Sequence, residues 1–230
     1  MANKLDLSFS TIYDTCLCTM CCYITTLAKS ELDFFDFVWQ DDAFSFQSVM
    51  QTYGTISFDV KSQFVVGAFR YSASKRIGDY PQMDALSLFE TSDQQVKAMA
   101  ENTVLFRLKM GFEIPKRGFE SKVKEIVVPV ATTAFWGSGN AIYSCDSQDD
   151  FIRHGGRYLC ELCRFQNRLH DELIDYFDMS EEDVSFSEEL ISAKKGNRVL
   201  RRECVAQFID MDKLTVPFVN ALKNLGLSLE

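Results

Sequence analysis

The residues best suited to chemistry stand close together in one stretch. Cys160-Glu-Leu-Cys163 lies between the two histidines of the chain, His154 and His170. Two thiolates and two imidazoles could close a tetrahedral zinc site, with Cys145 and Cys204 as further donors. The spacing argues against it. A structural Cys-x-x-Cys pair sits on a tight turn, whereas this pair lies inside a helical pattern, at or beside its apolar stripe. His154 and His170 would stand about 24 Å apart on a continuous helix, whereas zinc–ligand bonds are about 2.0–2.3 Å long. Both thiols are expected to pack as small apolar groups, with no metal or cofactor bound. The alternative is a small zinc-stabilised binding domain. A thioredoxin-like pair would need its first cysteine at a helix N-terminus, and this one is well inside.

Metal-dependent nuclease chemistry is the next candidate. It needs an acid near one strand end and Glu-x-Lys on the next, so that carboxylates hold Mg²⁺ while a lysine steadies developing charge. Asp59-Val-Lys61 and Glu120-Ser-Lys122 fit this loosely, which makes Asp59, Glu120 and Lys122 the catalytic candidates. Asp59 and Lys61 also share the polar face of an alternating strand, where they need no role beyond solvation. Trp136-Gly-Ser-Gly139-Asn lacks both phosphate-loop signatures and reads as a hairpin turn. No GxSxG elbow occurs.

Charge patterning supplies the remaining candidate. An acidic run holding Glu181, Glu182, Asp183, Glu188 and Glu189 is followed by a basic one, Lys194, Lys195, Arg198, Arg201 and Arg202. The acidic segment is a candidate surface for a basic protein partner. Charges that pair with the neighbouring basic segment explain it equally well. A net charge of −9 disfavours nucleic acid and anionic membrane as partners, although Lys194–Arg202 leaves nucleic acid open locally.

These residues need elements to position them. From Ser147 to Asp178, apolar positions at Phe151, Gly155, Leu159, Leu162, Leu169, Leu173 and Tyr176 trace one helical stripe. The sequence predicts one long amphipathic helix near 148–178, begun by a Ser147/Asp150 cap. Further helices are predicted near 11–39 (a Thr11/Asp14 capping box, then a second cap at Ser30), 91–110 and 215–225. In the last, Pro217 sits in the first turn and Gly226 ends the helix. Thr55–Lys61 alternates as a half-buried strand with Ile56, Phe58 and Val60 inward, and Phe64–Tyr71 reads as its more buried neighbour. A turn is predicted at Gln51–Gly54 and at Pro115–Gly118, and strands at Val123–Val128, Ala131–Trp136 and Ala141–Cys145.

The expected fold is α+β: an antiparallel sheet packed against several helices. A single domain spanning 1–230 is expected, with a possible N-terminal helical part at 1–42. Four of the eight cysteines fall within Cys16–Cys22, a poor disulfide framework, and the opening MANKLDLSFSTIYD, with one Lys and two Asp before the first apolar run, reads unlike a secretory signal. That points to a reducing, cytoplasmic setting. The thirteen-residue apolar run there is too short for a membrane span of about 20 residues. The function expected is a non-catalytic binding or regulatory protein, such as a viral or phage accessory factor. It would act on a protein partner or on a second copy of itself. A metal-dependent nuclease is the alternative.

Overall fold

The computed structural model describes residues 1–29, 37–48, 51–80, 82–114, 124–164, 169–211 and 214–230. The fold is α+β with antiparallel strands, as the alternating and helical periods require. The chain divides into two compact units, one of residues 1–9 and 47–158, the other of residues 10–46 and 159–230.

The first unit is built on a hairpin. Strands β4 (Thr52–Asp59) and β5 (Phe64–Tyr71) pair from Thr52 opposite Tyr71 to Asp59 opposite Phe64. Ile56 and Phe58 are buried as their alternation demands, but Ser57 and Thr55 are buried too, so this strand is covered on both faces at its centre. Val60, expected inward, lies beyond the strand and is exposed. The predicted turn at Gln51–Gly54 moves back, because Thr52 already pairs and Gln51 takes the left-handed conformation. Strand β8 (Thr133–Ser138) joins β5, β9 (Ala141–Ser144) joins β8 across Gly139-Asn140, and the short β1 (Asn3–Lys4) adds to β9.

One face of β5 and β8 presents Val66, Ala68, Ala134 and Trp136 to a core with Phe89, Val104 and Leu108. On the other face Phe69 stacks on Phe135, and Phe151 meets both rings edge-on at 5.8 and 5.9 Å. The helix expected near 91–110 is shorter. Helix α2 (Gln94–Met99) loosens into a π turn and a 3-10 turn ending at Arg107, and Lys109–Ile114 becomes strand β6. Its partner β7 (Lys124–Pro129) is rich in β-branched residues, and their cross-strand pairing outweighs the helical period of Phe106 and Met110.

The predicted single helix at 148–178 is interrupted. Ser147 does cap helix α3 (Gln148–Phe151), its hydroxyl accepting from the Asp150 N–H. A π turn follows at Ile152–Gly156, with Gly155 at φ 130, a backbone no α-helix contains. Helix α4 (Arg157–Arg164) and helix α5 (Leu169–Phe177) resume after it. The period persisted through the break, so the stripe alone could not reveal it.

In the second unit helix α1 (Phe9–Leu27) starts before the expected box at Thr11. Ile12, Cys16, Met20, Tyr23 and Leu27, which share one helical stripe, are buried, and so are Leu17, Cys21, Cys22 and Ile24. The buried hydroxyls of Thr19 and Thr25 donate to carbonyls one turn back. The helical region expected to reach residue 39 is corrected over its last residues, because Phe37–Gln40 is strand β2, paired with β3 (Ala43–Gln47). Asp41 and Asp42 both sit at positive φ, the two-residue hairpin turn that matches strand twist. The Ser30 cap and the Pro115–Gly118 turn lie outside the described residues. Helix α6 (Glu181–Gly196) opens with a capping box of Ser180 and Asp183 and ends on left-handed Asn197. After the short α7 (Arg202–Val205), helix α8 (Val216–Leu225) is capped by Thr215 and has the early Pro217 and the Gly226 stop that the sequence predicts. Phe186 of α6 faces Phe218 of α8 and Phe208. Among the described residues no helix is long and apolar enough to cross a membrane.

Candidate functional site

Asp59 works for the hairpin. Its carboxylate accepts from the backbone N–H groups of Lys61 and Ser62 at 3.1 and 3.2 Å, closing the turn between β4 and β5. The Ser62 side chain and backbone, ahead of Lys61, hold its carboxyl below the ordinary range. Glu120 and Lys122, the other nuclease candidates, lie outside the described residues.

The metal candidates occupy different surroundings. Cys160 and Cys163 are buried on α4. Burial pushes the Cys163 thiol up to about 12, against the opposing effect of the Thr15 side chain. His154 lies in the π turn, its Nδ1 2.9 Å from the Ser74 hydroxyl oxygen. His170 is on α5, and its side chain lies outside what is described. Among the described residues no three His, Cys, Asp or Glu side chains form a group able to hold a metal ion.

Around His154 the first unit carries a polar knot that sequence spacing did not reveal. Arg76 grips Asp146 with two guanidinium N–H groups at 2.9 and 2.8 Å and donates a further bond to the Thr132 carbonyl at 2.7 Å. Asp146 is buried and also accepts from the Thr133 hydroxyl at 2.6 Å. The Thr132 hydroxyl donates to the His154 carbonyl at 2.6 Å and accepts from the Tyr71 N–H at 2.9 Å. Ser74, beside its contact with His154, caps the 3-10 turn at Lys75–Asp79. A nucleophilic triad needs an acid that orients the base. Here the acid is committed to Arg76, and Nδ1, which would face that acid, is turned to the serine. The knot ties the 74–79 segment to the start of β8 and to the π turn. Arg76 and Asp146 are seventy residues apart, so no local pattern could have announced the pair.

In the second unit α6 sorts the acidic run by its helical period. Glu181, Glu182 and Glu188 are exposed, with Glu189 beside them, half-buried and 3.8 Å from Arg198. Asp183 points the other way. It is buried, holds the capping box with Ser180, and pairs with Lys29 at 2.6 Å. Burial works to raise its pKa, but the bonds from Lys29 and Ser180 outweigh burial and hold the carboxyl below its ordinary range. The basic residues that follow are partly engaged as well. Lys195 meets Asp14 at 2.8 Å, and Lys194 lies 3.9 Å from Asp42.

The α1 thiols form a graded set. Burial drives Cys16 and Cys21 well above the ordinary thiol range. The Cys22 thiol donates to Cys18 one turn before it, which raises Cys22 and lowers Cys18, with Lys195 assisting. Beside this helix α1, β2 and α8 enclose a pocket of about 420 Å³. Its buried walls include Tyr23, Phe37, Trp39 and Ala221, and its exposed lip carries Asn220 and Asn224.

No protein-family model, curated protein or solved structure matches this chain.

Proposed function

We propose that this chain is a non-catalytic binding protein that presents the acidic face of α6 to a basic protein partner, in a regulatory or accessory role. One observation carries the reading. A sixteen-residue helix is capped at both ends and anchored through Phe186, Leu190 and Ala193, and its opposite face turns Glu181, Glu182 and Glu188 to solvent. A helix fixed in this way offers carboxylates without losing further backbone entropy on binding. The net charge of −9 adds long-range attraction for a basic surface. The described residues that invited catalytic readings have structural partners instead: Asp59 in its turn, His154 on Ser74, Asp146 on Arg76.

The test reverses Glu181, Glu182 and Glu188 to lysine and leaves Asp183 alone, because Asp183 holds the helix cap. Carbodiimide coupling joins carboxylates to lysine amines, so it maps the contact directly. Couplings to the captured partner are expected on peptides containing residues 181–189. They should vanish in the triple variant while its circular dichroism and melting temperature stay as in wild type. Couplings that map elsewhere, or that survive the reversal, would overturn the reading.

A further inference from the structure

The pocket of the second unit has the marks of a small-ligand site, and it owes nothing to the acidic face of α6. Its volume of about 420 Å³ falls within the ~300–1,000 Å³ of pockets that hold small molecules. Three elements supply it, each on its own period. Met20, Tyr23 and Leu27 come from one face of α1, Phe37 and Trp39 from one face of β2, and Ala221 from the buried side of α8.

The lining chooses the chemistry of the occupant. Tyr23 and Phe37 meet edge to face at 5.3 Å, and Trp39 stands two residues along the same strand face. Aromatic walls held by packing favour a ring, which gains from offset or edge contacts beyond simple burial. Among the described residues that line it none carries a formal charge, and Lys194 stands outside the lining with its Nζ 6.0 Å from the Trp39 ring centroid. An ionised ligand would leave water without a counter-charge among those lining residues to meet, a cost that neutral molecules escape. Besides the Tyr23 hydroxyl and the Trp39 indole N–H of the walls, polar side chains stand at the lip, where Asn220 and Asn224 lie one helical turn apart, each offering an amide donor and a carbonyl acceptor. We propose that this pocket binds a neutral, ring-bearing small molecule whose single hydrogen-bonding group meets Asn220 and Asn224 at the lip.

Two dyes with one ring system and different charge test this on the full chain. N-phenyl-1-naphthylamine is neutral and carries one N–H, whereas 1-anilinonaphthalene-8-sulfonate bears a sulfonate on the same skeleton. The neutral dye should bind saturably at one equivalent per chain, with a rise in its fluorescence. The sulfonated dye should bind at least tenfold more weakly. Asn220→Phe fills the mouth from an exposed helix position and should weaken the neutral dye at least tenfold, with circular dichroism and melting unchanged. Ala221→Leu narrows the pocket from its buried wall and should do the same. Equal binding of the two dyes, absence of saturable binding, or full binding to a folded Asn220→Phe variant would each overturn the proposal. So would dye binding that falls as protein concentration rises, because the occupant would then be a second copy of the chain.

Discussion

Phe151 fills the space that a side chain at Gly156 would need: a Cβ built on Gly156 runs into its ring. The ring cannot step aside, because it is fully buried against Phe69 and Phe135. Helix propensity alone favours Gly156→Ala by about 1 kcal/mol. Packing reverses the sign, and Gly156→Ala is expected to cost about 1–3 kcal/mol through overpacking. Gly155→Ala should cost at least as much, since that residue combines φ 130 with a Cβ position 3.0 Å from the Phe69 Cβ. Gly78, with open space around it, supplies the control: Gly78→Ala should stay within about 0.5 kcal/mol of wild type. Urea unfolding followed by circular dichroism measures all three. A Gly156→Ala variant as stable as wild type would mean that Phe151 is not held where the fold puts it.

The same two glycines show how far the sequence could be read. Placing Gly155 on the buried stripe was right, since it packs against Phe69 and Tyr71. On an unbroken helix Gly156 would lie one step off that stripe, where alanine is tolerated. The π turn rotates it into the core instead. Caps, helix starts and stops and alternation are legible because each is decided within a few residues: Ser147, Pro217, Gly226, the β4–β5 hairpin. Phe37–Gln40 departs from its helical expectation because its partner strand and its Asp41-Asp42 turn, not its own period, make it a strand. The pocket and the Arg76–Asp146 pair depend on residues far apart in sequence, and no window of the chain contains them.

Arg76 and Asp146 are expected to behave as a unit. Asp146 is 7% exposed and has a bidentate guanidinium partner. Removing the arginine leaves that carboxylate buried, with the Thr133 hydroxyl as its remaining hydrogen-bond donor among the described residues. Arg76→Ala should therefore cost about 3 kcal/mol, the lower end for a broken buried pair, because the arginine itself is partly exposed. Arg76→Lys should recover little, since an ammonium cannot reproduce the fork. In a double-mutant cycle with Asp146→Asn the two losses should be strongly non-additive. Additive losses would show two independent residues.

His154 predicts a pH dependence with a definite sign. Burial first, then the nearby Arg76, lowers its pKa from 6.5, while Asp146 and Asp150 pull the other way and Arg153 adds to the lowering. With the folded pKa below the unfolded one, the unfolded chain binds more protons as the histidine titrates. The contribution is complete above the unfolded pKa and is lost as pH falls through the folded one. Wild type should lose stability relative to His154→Gln between about pH 7 and about pH 5. Proton NMR of the imidazole should place its midpoint below the free-histidine value. A raised midpoint, or parallel stability curves for the two proteins, would reverse the assignment.

Cys18 should be the thiol of α1 that reacts first. It is the least buried of the four cysteines on that helix, and its sulfur accepts a hydrogen bond from the Cys22 thiol one turn away. The thiolate is the nucleophile, so a lowered pKa and exposure act together on the rate. Cys16 and Cys21 are buried with thiols raised by desolvation, and Cys22 is raised by serving as the donor. Limited iodoacetamide treatment of the native protein, followed by peptide mass mapping, should show Cys18 modified well before Cys16, Cys21 and Cys22. Cys22→Ala removes the donor and should slow Cys18 alkylation several-fold near neutral pH. Lys195→Gln removes a weaker, more distant influence and should slow it less. If Cys22→Ala left the Cys18 rate unchanged, the pair would be two packed thiols with no shared proton.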